Sequence, residues 1–184
     1  MSQTHWTLDP AHTQIEFSVK HMMFTTVRGL FSRFDGDVHL NENDPDESSV
    51  EVTIDASSID TRVADRDNHL RSADFFDVET FPEITFRSTD VSGSVVEGEK
   101  FQITGDLTIR DVTRQVVLHA TFEGTGTDPW GGTRAGFTAT GRIDRREFGL
   151  TWNQALETGG VLVGNEISIT LQAQAVLQEE TANV

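Results

Sequence analysis

The groups in this 184-residue chain able to bind a metal, move a proton or hold an anion are six histidines, 30 acidic residues and 14 basic ones. The histidines are His5, His12, His21, His39, His69 and His119. No two fall at i, i+2 or i, i+4, the spacings that put two imidazoles on one face of a strand or helix, so no local metal pair exists. The chain has no cysteine, which removes thiolate nucleophiles, disulfides, cysteine zinc sites and iron–sulfur clusters. It also has no tyrosine, so no phenol is present to act as a general acid. Phosphate-cradling glycine loops, nucleophile elbows and H-E-x-x-H pairs are missing. The acidic stretch from Asn41 to Glu51 lacks the glycine and ligand order of a calcium loop. No catalytic residue and no metal site is assigned, and no cofactor is expected.

Two histidines keep alternatives open. His21 ends an alternating stretch on the same face as Ile15, Phe17 and Val19. There it reads either as a satisfied core histidine or as a head-group donor at the mouth of an apolar cavity. His69 sits beside Arg66 on a predicted helix, where a structural hydrogen bond is expected. The 12 phenylalanines are more telling as a set. Phe17, Phe31, Phe86, Phe101, Phe122 and Phe137 lie in strands on faces read as inward, while Phe24, Phe75, Phe76 and Phe148 lie in turns or near the helix. Together with small inward residues (Ala120, Ala135, Ala139, Gly141), they suit a dry, smooth-walled cavity.

The elements that must position these residues are strands. Phe101, Ile103, Gly105, Leu107 and Ile109 alternate with polar residues, as do Val50 to Ile54, Val116 to Phe122, Ala135 to Ile143 and Ile167 to Ala175. A period of two means strands with one apolar face. Short turn signals between them predict an antiparallel barrel or sandwich. Gly36, Gly105 and Gly141 interrupt strands in similar surroundings and predict bulges or sharp bends. Residues 61–76 break the alternation and predict a short helical insert, with the helix over about 62–71. Thr61 is its expected N-cap, Asp67 and Arg71 an i, i+4 pair, and Val63 and Leu70 a shared face. The whole chain, 1–184, reads as one domain.

The formal charge is −16, and residues 41–99 hold 16 of the 30 acids against 4 bases. Such a chain repels nucleic-acid phosphates, so no nucleic acid is expected as a partner. No apolar run reaches the length of a membrane span. The opening Met1-Ser2-Gln3-Thr4-His5-Trp6 has no basic or apolar leader character, so the cytoplasm is the expected compartment.

Several stretches carry a resemblance. Trp6-Thr7-Leu8-Asp9 with His12 to His21, Val27-Arg28-Gly29-Leu30-Phe31, and Phe34-Asp35-Gly36 resemble the opening of the YceI-like, polyisoprenoid-binding family. Arg66-Asp67-Asn68-His69-Leu70, Asp74-Phe75-Phe76-Asp77, Phe81 to Phe86, Gly105 to Arg110, Val112-Thr113-Arg114 and Arg145 to Leu150 continue it over about residues 4–176. The chain departs at Asp111, where the family usually has Gly, and at Asp144, where Asn is commoner; Asp tolerates a left-handed turn better than most residues. The resemblance implies a mainly β, eight-stranded lipocalin-like barrel. It would bind one long isoprenoid, such as a quinone or polyprenyl carrier, often as a homodimer and without established catalysis.

On that reading the tunnel wall comprises Ile15, Phe17, Val19, Phe24, Phe31, Phe76, Phe86, Phe101, Ile103, Leu118, Phe122, Phe137, Phe148, Trp152 and Ile169. His21, Arg142, Arg146 and Asn153 form its polar head end. The protein would store, carry or shield the lipid. Two other readings stand beside it. One is an enzyme on a hydrophobic substrate, with His21 or His69 as general base. The other is a ligand-free stress-response module whose acidic 41–99 face meets a partner.

Overall fold

The computed structural model describes residues 3–178. Eleven strand segments and one α-helix follow one another as β1 (Thr4–Leu8), β2 (Gln14–His21), β3 (Thr25–Phe31), β4 (Phe34–Leu40), β5 (Ser49–Asp55), β6 (Ile59–Asp60), α1 (Ala64–Arg71), β7 (Glu83–Gly93), β8 (Lys100–Ile109), β9 (Val112–Thr127), β10 (Thr133–Asp144) and β11 (Glu166–Leu177). The segments β1/β2, β3/β4 and β5/β6 are three continuous strands, each creased at the same level. Thr4 pairs with Leu40 and His21 with Thr25, so residues 4–40 form one long hairpin interrupted at 9–13 and 32–33. The third crease, a 3-10 turn at Ala56–Ser58, lies beside it, with the Ser58 hydroxyl accepting from Arg33 N. Counted this way the barrel has eight antiparallel strands. It closes where β11 pairs with β10 on one side and with both β1 and β2 on the other.

The alternation carries through to burial. Phe101, Ile103, Gly105, Leu107 and Ile109 are all buried, and the intervening residues face outward. The interior glycines do a different job from the bends their spacing predicts. At Gly36, Gly105 and Gly141 the backbone φ is not left-handed. The register shifts fall elsewhere, at Ser88–Asp90 and Gly136–Phe137. Each glycine instead lies beneath a bulky inward neighbour. A Cβ on Gly36 would stand 2.4 Å from Leu8, one on Gly105 2.5 Å from Phe86, and one on Gly141 2.7 Å from Leu118. At the β8–β9 turn Asp111 has φ +63°, the left-handed turn expected of it. Asp144 does not: its φ is −97°, and its carboxylate instead caps the next turn by accepting from Arg146 N.

The helix starts later than the sequence suggests and is capped differently. Val63, not Thr61, stands at its N-cap, with no side-chain cap. The Thr61 N–H and hydroxyl both donate to the buried Asp67 carboxylate, which is therefore not paired with Arg71. Arg71 reaches back to the carbonyls of Ser57 and Ile59, at 2.9 and 3.1 Å. Val63 faces solvent while Leu70 faces the barrel. With few apolar residues of its own, α1 is held across the gap between β6 and β7 by these polar ties rather than by an apolar stripe.

A second polar tie holds the β1/β2 crease. Asp9 accepts from Arg134 at 2.6 Å and bonds His12 at 2.7 Å, and Arg134 also donates to Asp128. The hydrogen bonds from His12 and Arg134 hold the Asp9 carboxyl down at about 2. A carboxyl depressed in the folded state contributes stability above its unfolded value and loses it as pH falls toward the folded one. We therefore expect stability, measured by urea unfolding, to fall between about pH 4 and pH 2, and Asp9→Asn to flatten that slope. Gly105→Ala is expected to cost about 1–3 kcal/mol in the same assay, because the new methyl also stands 2.7 Å from the Arg87 carbonyl, which cannot move aside.

Candidate functional site

The inward faces enclose two adjacent chambers. The lower one, about 170 Å³, is bounded by β2, β3, the helical insert and the ends of β8 and β11. The upper one, about 90 Å³, lies among β1, β4, β5, β8, β9 and β10. Val52, Phe86, Leu118 and Leu171 line both and form the waist between them. Gly105 and Gly141 underlie two of these four, so the missing Cβ atoms set how far Phe86 and Leu118 sit back from the axis. From Phe101 to Ile109 along β8, at about 3.4 Å per residue, the wall runs roughly 27 Å, or on the order of 20 Å along a barrel axis inclined about 40° to the strands.

Most of the predicted wall lies here. Ile15, Phe17, Val19, Phe31, Phe76 and Ile169 line the lower chamber, Phe101, Ile103 and Phe137 the upper, and Phe86 and Leu118 both. Four predicted wall residues do not. Phe122 is buried against Phe137, ring centroids 5.2 Å apart. Phe148 is fully buried in the turn after β10. Trp152 packs outside the chamber, edge-on to His69 at 4.6 Å. Phe24 projects from the β2–β3 turn and is 83 % exposed. Leu70 and Phe75 of the insert, and Val52, Leu107 and Leu171 of the strands, join the wall instead. Alternation marked the strand residues as inward, but the curl of the sheet decides which of them reach an open space.

The four residues predicted for the polar end do not converge. Arg142 is outward, 3.7 Å from Glu166. Arg146 is exposed and bonded to Asp144, whose carboxyl it holds at about 2. Asn153 is used up by backbone, donating to Val163 O at 2.7 Å and accepting from Val163 N at 3.0 Å. His21 bridges to Val163 at the rim and does not line a chamber. His69 makes the expected structural bond, to Asp74 at 2.8 Å.

Of the polar residues bordering the chambers (Glu16, His39, Ser48, Ser49, Thr138 and Arg145), Arg145 alone is buried, and it lies between Arg142 and Arg146 in sequence. It is 3 % exposed and lines the lower chamber. Its guanidinium donates to the carbonyls of Gly164 at 2.8 Å, Leu150 at 2.6 Å and Trp152 at 2.9 Å, and no carboxylate among the described residues pairs with it. Burial pushes its pKa down, though a guanidinium stays charged at neutral pH. Asp144 caps a 3-10 turn, and that turn rotates Arg145 inward and Arg146 outward. Among the described residues, no group of three or more His, Asp or Glu side chains is placed to hold a metal ion.

A closed antiparallel barrel with an apolar, two-chambered interior and a rim of buried cation and loop carbonyls defines a lipocalin-like architecture. The model for the YceI-like domain matches residues 6–175, and the chain belongs to that family. A UPF0312 protein of Staphylococcus aureus strain USA300 is 38 % identical over 177 residues, covering 96 % of this chain and 99 % of the relative. The crystal structure of BcnA from Burkholderia cenocepacia superposes with a TM-score of 0.78 at 24 % identity, over 91 % of this chain and 98 % of BcnA. A polyisoprenoid-binding domain from Saccharophagus degradans superposes at 0.69 with 13 % identity, over 96 % of this chain and all of that one. These two structures share the fold. No helix among the described residues is long and apolar enough to cross a membrane.

Removing Arg145 orphans three or more loop carbonyls at once. Arg145→Met is expected to cost about 3 kcal/mol or more in chemical denaturation, and Arg145→Lys to recover less than half of it, because an ammonium cannot span carbonyls so far apart.

Proposed function

We propose that this chain binds one long isoprenoid lipid, a quinone or polyprenyl carrier, with its tail along the barrel axis, and that it stores, carries or shields that lipid. The observation that carries the reading is the apolar interior, two chambers in line that share Val52, Phe86, Leu118 and Leu171 in their walls. A polyisoprenoid-binding domain of the same fold supports it. Each five-carbon unit buried gains about 4 kcal/mol gross, at roughly 0.8 kcal/mol per carbon group. Ordering the tail offsets part of this, so affinity grows with tail length until it meets the ceiling near about −20 kcal/mol. Arg145 borders the lower chamber with its donors held by loop carbonyls, so affinity rests on the tail rather than on a head-group contact.

Native mass spectrometry of the protein purified from its own organism tests this. A co-purified lipid with an isoprenoid mass ladder is expected. A lipid-free protein that also takes up no quinone from detergent overturns the reading. Val52→Phe places a ring in the waist and is expected to lower retained lipid at least about tenfold. Its cost in stability stays within about 2 kcal/mol, because the ring enters open space.

A further inference from the structure

The β2–β3 turn places apolar side chains where turn chemistry disfavours them. Met22 and Met23 both have left-handed backbones, φ +50° and +65°. Two successive left-handed residues make the tight hairpin turn that Asn-Gly ordinarily fills, since a Cβ is disfavoured there. Neither methionine recovers this by burial: Met22 is 41 % exposed, Met23 64 % and Phe24 83 %. Val161, 38 % exposed, stands in the adjoining loop, which is joined to the tip by Met22 N donating to Leu162 O at 2.8 Å. Half of the eight large apolar residues exposed among the described residues therefore share one corner.

That corner is the rim of the tunnel. Val19, three residues before the turn, and Val163, two after Val161, both line the lower chamber. The local charge is also unlike the rest of the chain. From Phe17 to Phe34 there is no Asp or Glu, the longest acid-free stretch in a sequence with 30 acids. Lys20 and Arg28 stand exposed on the outer face of this hairpin. Neither forms an ion pair among the described residues. Apolar side chains at a tip with cations just behind them are what a phospholipid interface accepts, and the single acid of the adjoining 151–165 loop, Glu157, is exposed. A second copy of the same chain fits less well, because two such cationic faces would oppose each other.

We propose that the Met22–Phe24 tip docks the barrel onto a phospholipid bilayer. Met23, Phe24 and Val161 enter the interface, and Lys20 and Arg28 meet lipid phosphates. The tunnel rim is thereby set against the lipid phase, so that a tail passes between bilayer and chamber without crossing water. As a loading route this rests on the lipid-binding reading; docking is measured on its own.

The test is flotation of the full chain with phosphatidylcholine vesicles, with and without about 30 % phosphatidylglycerol, at roughly 0.15 M salt, where the distant acids are screened. The wild type is expected to float with both. Met23→Ser with Phe24→Ser is expected to lower the bound fraction at least about fivefold. Lys20→Glu with Arg28→Glu is expected to weaken only the phosphatidylglycerol-dependent part. The thermal midpoint should stay unchanged in the Ser variant, because neither residue packs in the core or the wall. Docking is overturned if the wild type floats with neither vesicle or if the Ser variant floats as well as the wild type. It is also overturned if the variant merely dissolves a solution dimer that never bound vesicles, since the tip then covers a second copy. Flotation by a protein that holds no lipid would leave docking standing and sink the tunnel reading instead.

Discussion

The structure depends on the seam at β11. One edge of this strand pairs with β10 along its length. The other is shared: Ala175 to Leu177 with β1 and Ser168 to Gln172 with β2. Between these two ladders Gln174 holds both sides of the β1/β2 crease, accepting from Asp9 N and the Thr13 hydroxyl and donating to that hydroxyl in return. Closure removes both free edges of the sheet, which would otherwise recruit other strands. It also forces every inward side chain of eight strands into one enclosed space.

That space is apolar because polar groups have nowhere inside to find partners. The outward positions and the rim take nearly all of them, and no described buried side-chain nitrogen or oxygen is left without a hydrogen bond. Arg145 follows the same rule from inside. It is a buried cation whose donors are met by carbonyls of the 150–164 loop, which makes it the brace of that loop beside the lower chamber. The helical insert completes the lower end by the same economy. Asp67, Arg66 and Arg71 anchor it through Thr61, Ser57 and Ile59, leaving Leu70, Phe75 and Phe76 to close the chamber.

Much of the wall was legible as alternation. Ile15, Phe17, Val19, Phe31, Phe86, Phe101, Ile103, Leu118, Phe137 and Ile169 fall on the faces that alternation predicts as inward, and they line a chamber. A period of two follows from backbone geometry alone and needs no tertiary context. Phe122 faces inward on β9 but is packed against Phe137 and borders neither chamber; the other departures have a different cause. Trp152, Phe148 and Phe24 lie outside regular strands, where residue type says apolar but not which way the chain turns. Choosing Arg146 over Arg145 is the same failure at the scale of one residue, because a single 3-10 turn after Asp144 sets which of them turns inward, whereas Arg142 lies on the outward face of β10.

The sequence by itself determined the strands, their inward faces, the left-handed turn at Asp111 and the family. Each of these is written in local residue order, as period, turn chemistry or motif. Tertiary structure decided what no local order encodes. It aligned three creases across neighbouring strands, turned glycines expected to bend the sheet into seats for Leu8, Phe86 and Leu118, and divided one apolar interior into two chambers with a waist. It also gathered Met22, Met23, Phe24 and Val161 at the rim. Those outcomes depend on distances between residues far apart in the chain, and only closure of the barrel sets them.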